Sequence, residues 1–151
     1  MKDTELAFRT GALFNKHITD AFWSSFKGEY GRVQVEVLVY LFDNGPVQAS
    51  EIAEGLNISK QHVSKIVALF IRTGYVCDSP NETDKRANVL TLTEQGRRYL
   101  AAHFAASDHS FEALVGAFSE TEKARFIQAM KDISDLISQY TETDRTDVTT
   151  V

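Results

Sequence analysis

The chain has 151 residues, 43% of them hydrophobic and 25% charged, with a formal net charge of −5; that is the profile of a single globular domain able to bury its own core. No apolar run approaches the roughly 18 residues of a membrane span, and the opening MKDTELAFRT has no signal-peptide core. The lone cysteine, Cys77, excludes an internal disulfide and suits a reducing cytoplasm.

Residues 1–30 predict helix, because Leu6, Leu13, Phe14, Ile18, Ala21 and Phe22 recur at spacings of three and four. The next stretch, VQVEVLVYL at 33–41, supports two structures. Val33, Val35, Val37 and Val39 alternate as a half-buried strand would, and β-branched residues lose χ1 freedom in a helix. At helical period, Gln34, Val37, Leu38, Leu41 and Phe42 share one face instead. The two prolines, Pro46 and Pro80, sit in polar breaks at 43–48 and 78–86.

Residues 50–67, SEIAEGLNISKQHVSKIV, carry the densest pattern. Ile52, Ala53 and Leu56 form the inner face of a short helix, and Asn57 stands where the chain needs a left-handed residue. Ile58 plugs the turn and Ser59 caps a second helix with Val63, Ile66, Val67 and Phe70 facing inward. This is helix-turn-helix spacing. The outer face of the second helix, Lys60, Gln61, His62, Ser64 and Lys65, is polar and basic, suited to phosphates and base edges in a major groove. The alternative is an ordinary helical hairpin with a solvated face.

Gly74 ends that helix, and the strand-like YVCD and VLTLT flank a polar loop holding Asp84, Lys85 and Arg86. A helix-turn-helix followed by a two-stranded ribbon with cations at its tip is a winged helix, whose Arg can enter a narrow minor groove. Charge agrees with this reading. Residues 57–98 hold seven cations against four anions, whereas the remainder is strongly acidic. After Thr93 a long helix carries Leu100, Phe104, Phe111, Leu114 and Phe118. Ser119 with Glu122 forms a capping box for a last helix with Phe126, Ile127, Met130, Ile133, Ile137 and Tyr140 on its apolar face. The polar end, 141–151, predicts a frayed tail.

In order and spacing, SEIAEGLNIS, HVSKIV, RTGYV, the DKR at 84–86 and LTLTEQGRRYL at 90–100 resemble the MarR-type transcriptional regulators. The resemblance implies a mainly α fold with a small antiparallel β-wing. A single domain of residues 1–151 would comprise a winged helix-turn-helix core at 33–99 and helical dimerisation regions at 1–30 and 100–140. It implies that 33–41 is a helix packed beneath the motif, with Val37, Leu38 and Leu41 inward. Gln61, His62, Ser64 and Lys65 would face the major groove. Ser50, Ser59, Lys60 and Lys85 would meet phosphate, and Asp84 and Arg86 would serve the minor groove. The implied function is a homodimeric regulator, most often a repressor, on a pseudo-palindromic operator in double-stranded DNA. The chain departs from the pattern at Cys77 and Asp78, where the first wing strand commonly carries an Arg.

The aromatic set Phe14, Phe22, Trp23, Phe26 and Tyr30 reads as dimer core or, following the resemblance, as the lining of a pocket for a small planar lipophilic effector. Cys77 reads as a packed strand residue, because Asp78 beside it opposes the cationic surroundings a reactive thiol needs. His17, His62, His103 and His109 show no i, i+4 pair, so no metal or other cofactor is expected. No phosphate loop, nucleophile triad or zinc motif points to an enzyme. A winged helix used for protein contact is the rival function.

Overall fold

The computed structural model describes residues 1–83 and 88–147. It divides into two compact units, Met1–Ser110 and Phe111–Val151. Helix α1 spans Asp3–Phe14 and runs through a π-helical turn, Asn15–Thr19, into α2, Asp20–Ser25. The π turn was not legible as a change of period in the sequence. Thr19 Oγ1 donates to Asn15 Oδ1 across it at 2.9 Å.

Helix α3 covers Arg32–Asn44, so the β-branched run at 33–41 is helical. Val35, Val37, Leu38 and Leu41 are each at most 1% exposed. Burying four apolar side chains on one helical face outweighs a propensity difference of a few tenths of a kcal/mol per residue. Strand pairing would have put Leu38 on the face opposite Val35, Val37 and Leu41.

Helices α4 (Ala49–Gly55) and α5 (Lys60–Arg72) form the helix-turn-helix. Both end in the same backbone device. At the end of α4, Asn57 N–H donates to the Glu54 carbonyl and Ile58 N–H to the Ala53 carbonyl. Asn57 takes φ of +51°, the left-handed value the sequence led us to expect. At the end of α5, Gly74 at φ +82° donates to Ile71 O, and Tyr75 N–H donates to Phe70 O. Glycine occupies that second turn without strain.

Strands β1 (Val76–Pro80) and β2 (Asn88–Leu92) pair antiparallel, with Val76 opposite Leu92 and Asp78 opposite Leu90. Val47 adds a bridge to Leu90 through reciprocal backbone bonds of 2.8 and 3.1 Å. The ribbon is thereby tied to the segment entering α4. That tie lay in what the sequence presented as a polar break. The core of this unit gathers Phe22, Phe26, the inner faces of α3, α4 and α5, and Val76, Leu90, Leu92 and Leu100.

Helix α6, Glu94–Gly116, starts at a cap made by Thr93. The Thr93 hydroxyl donates to the Gly74 carbonyl at 2.6 Å and accepts from Gly96 N–H at 3.0 Å. A Cβ on Gly96 would collide with the Tyr75 carbonyl oxygen, so close passage of β1 and α6 requires glycine there.

In the second unit, α7 covers Glu120–Asp147. The capping box is formed: Ser119 N–H and Oγ both donate to Glu122 Oε2, at 2.9 and 2.7 Å. These bonds hold the Glu122 carboxyl below its ordinary pKa. Phe118 and Phe111 pack their rings on Phe126. Helical backbone is described as far as Asp147. Among the described residues no helix is long and apolar enough to cross a membrane.

Candidate nucleic-acid interface

The presented surface is made by α5. Its inner residues Val63, Ile66, Val67 and Phe70 are all buried, with Val63 and Phe70 at 0% exposure, and they fix the helix against α3 and α4. With that face committed, helical geometry leaves Lys60, Gln61, His62, Ser64 and Lys65 in solvent, as the structure places them. Ser59 caps the helix by accepting from His62 N–H at 3.2 Å. This hydrogen bond leaves the other amides of the first turn facing outward, where an anion is favoured.

Ser64 differs from its neighbours. Its hydroxyl donates to the Lys60 carbonyl at 2.9 Å, so its single proton is used inside the helix and Oγ remains an acceptor. Ser50 lies half-buried in the first turn of α4, whose start is fixed by Gln48 N–H donating to Glu51 Oε2 at 2.7 Å. Ser50 and Ser64 come together on one groove of about 390 Å³ between α5 and the ribbon. Gln48, Asp78 and Asn88 share its rim, and Val67, Ile71 and Leu90 contribute its apolar lining. Gln48 and Asn88 had no distinguishing signal in the sequence, since only the Val47–Leu90 bridge brings their segments together. Asp84, Lys85 and Arg86 lie outside the described residues.

Cys77 corrects a sequence expectation. It is exposed rather than packed, because the strand's alternation gives the inward positions to Val76 on β1 and to Leu90 and Leu92 on β2. Its Sγ lies 3.7 Å from the Thr91 carbonyl oxygen.

The aromatic set sits elsewhere in the first unit. Phe22 and Phe26 are 6% and 3% exposed, Trp23 and Tyr30 pack at the core's edge, and Phe14 is exposed. Phe22 stacks on Phe104 with centroids 4.7 Å apart, and Phe26 stacks on the His103 imidazole at 3.8 Å. Ser25 Oγ donates to the Phe22 carbonyl at 2.6 Å and lies within hydrogen-bond distance, 2.7 Å, of His103 Nδ1. Burial holds the imidazole below its ordinary pKa, against the opposing pull of Glu29. Tyr99 donates to Glu29 Oε2 at 3.1 Å, and burial with this carboxylate pushes the phenol's pKa up. Arg32 stands 4.4 Å over the Trp23 ring. A ligand reaching Phe22 or Phe26 would have to displace rings already in contact. Among the described residues no cluster of three His, Cys, Asp or Glu side chains could hold a metal ion.

Residues 30–87 match the model of the MarR family. The HTH-type transcriptional repressor YetL of Bacillus subtilis is 20% identical over 128 residues, covering 82% of this chain and 74% of its own. The transcriptional regulator Tm0710 of Thermotoga maritima shares the fold with a TM-score of 0.73 at 16% identity, over 93% of this chain and 99% of that one. A MepR mutant of S. aureus, solved bound to an oligodeoxyribonucleotide, superposes with a TM-score of 0.61 at 19% identity, over 91% and 99% of the two chains.

Proposed function

We propose that this chain, whose residues 30–87 match the MarR family of transcriptional regulators, is a repressor that binds a pseudo-palindromic operator as a homodimer. The observation that carries the reading is the outer face of α5. Five polar residues, two of them lysines, stand exposed on a helix whose other side is locked into the core. Such a helix can enter a major groove without reorganising. The repressor sense follows the name of the YetL relative, and the DNA partner follows the MepR complex.

Dimer formation is supported by apolar residues left in solvent. Leu6, Phe8 and Leu13 on α1 are 50%, 79% and 60% exposed, and Ile133, Leu136 and Tyr140 on α7 are 54%, 66% and 67% exposed. Faces of this kind call for a cover, and a second copy supplies one by two-fold symmetry. Two recognition helices at a fixed separation would then address two half-sites one helical turn apart. A small planar lipophilic effector would act by favouring dimers with the wrong separation, a population shift. Trp23, Tyr30 and Phe14, at the edge of the aromatic cluster, are its proposed contacts, with Phe22 and Phe26 behind them. In the wing, Lys85 would meet phosphate, Arg86 would enter the minor groove and Asp84 would orient it.

The test separates helix from wing. Gln61→Ala and His62→Ala should each cost about 1–3 kcal/mol on the operator and relax preference at one or two base pairs. Lys85→Ala should weaken all duplexes alike and lower the salt slope by about one unit. If both helix variants bind the DNA upstream of the gene as tightly and selectively as the parent, α5 does not read DNA. Protein contact would then become the better reading of the winged helix.

A further inference from the structure

We propose that Asp78 is an electrostatic brake on DNA binding: a carboxylate held on the groove between α5 and the wing, where it repels phosphate and keeps sequence-independent affinity low. The inference rests on the DNA-binding reading above.

Asp78 sits on β1 opposite Leu90 and is exposed. A free surface aspartate can turn away from an approaching anion, but this one is restrained. Asn88 Nδ2 donates to Asp78 Oδ2 at 2.9 Å from the neighbouring strand. The amide is neutral, so it fixes the carboxylate's direction without cancelling its charge. The group shares its groove with Ser50 and Ser64, two of the positions assigned to DNA contact. Among the described residues no lysine or arginine lines that groove, and neither of their ion pairs involves Asp78.

The opposing charges are on the same presented surface. Lys60 and Lys65 of α5 stand exposed and would draw any duplex in through its phosphates. A fixed anion on the groove that α5 lines through Ser64 subtracts from this attraction on every sequence equally. Contacts between Gln61 or His62 and base edges are unaffected by it. The brake thus lowers the share of affinity that does not depend on sequence, which suits a chain whose net charge is already −5.

Asp78→Asn is the variant of choice, because its amide oxygen still accepts from Asn88 while the charge is gone. Fluorescence anisotropy would compare the full-length parent and variant on a random duplex and on the DNA upstream of the gene. The expected gain at about 50 mM salt is about 3- to 10-fold on both, shrinking to within about twofold at about 300 mM as screening shortens the interaction. Glu5→Gln on α1, which removes the same net charge, should stay within about twofold of the parent at both salts. Asp78→Ala should move affinity in the same direction as Asp78→Asn, which guards against an effect of the new amide. An Asp78→Asn affinity equal to or weaker than the parent's at low salt overturns the proposal, as does an equal gain from Glu5→Gln. Failure of parent and variant alike to bind any duplex would strike the DNA reading itself, and this inference with it.

Discussion

Helices α1 and α5 both carry large apolar residues, yet they end in opposite situations. In α5, Val63, Ile66, Val67 and Phe70 are all buried against neighbouring elements of the same unit. In α1 no residue is buried, and Leu6, Phe8 and Leu13 are at least half exposed. Amphipathic spacing shows that a face requires cover; it does not say what supplies it. For α5 the cover comes from the same unit, in α3, α4 and β1. For α1 we attribute it to a second copy of the chain. The contrast makes the two helices respond differently to the same kind of damage.

The largest effect is expected at the centre of the winged core. Phe70 is fully buried, and Phe70→Ala should cost about 3–5 kcal/mol through lost transfer energy and the cavity left behind. Thermal melting of the dilute protein would register this as a drop of about 10 °C or more. A loss below about 1 kcal/mol would mean that the core tolerates collapse at that point, and the self-sufficiency assigned to it would fail.

A charge placed on the exposed α7 face tests the other half. Leu136→Asp leaves an exposed position exposed in the single chain, so it should cost the isolated fold less than about 0.5 kcal/mol. In a dimer that buries this face, it should cost about 2 kcal/mol or more of association, roughly a 30-fold weaker dimer. Light scattering on the parent should then give about twice 16.9 kDa at micromolar concentration, and the variant a lower mass. A parent that scatters as a monomer would sink the dimer and, with it, the two-fold operator.

The smallest effect belongs to Cys77. Exposed on the outer side of β1, it has little to lose on becoming serine, and Cys77→Ser should change stability by no more than about 0.5 kcal/mol. DNA affinity measured before and after peroxide should also match the parent's. Peroxide that releases the parent but not the variant would make the exposed thiol a sensor instead.

Much of the interface was legible in the letters. Asn57 at the turn, Ser59 at the cap and Gly74 at the helix end each need a particular backbone geometry that few other residues accept, and each is where its chemistry placed it. The polar outer face of α5 follows from the same four apolar residues that define its inner one. Local chemistry of this kind acts within four or five residues and can therefore be read along the chain.

Tertiary structure decided the rest, because those outcomes depend on partners distant in sequence. The run at 33–41 fits both periods with a local propensity for strand, and only the core formed with α4, α5 and β2 makes helix the better way to bury Val37, Leu38 and Leu41 together. Val47 pairs with Leu90 across 43 residues, which no local pattern announces, and that bridge draws Gln48 and Asn88 to one groove. The requirement for glycine at 96 arises from a carbonyl 21 positions earlier. Cys77 turns outward because Val76 had already taken the inward position on a strand only five residues long. Sequence spacing determined which faces exist, and long-range packing determined which of them met a neighbour.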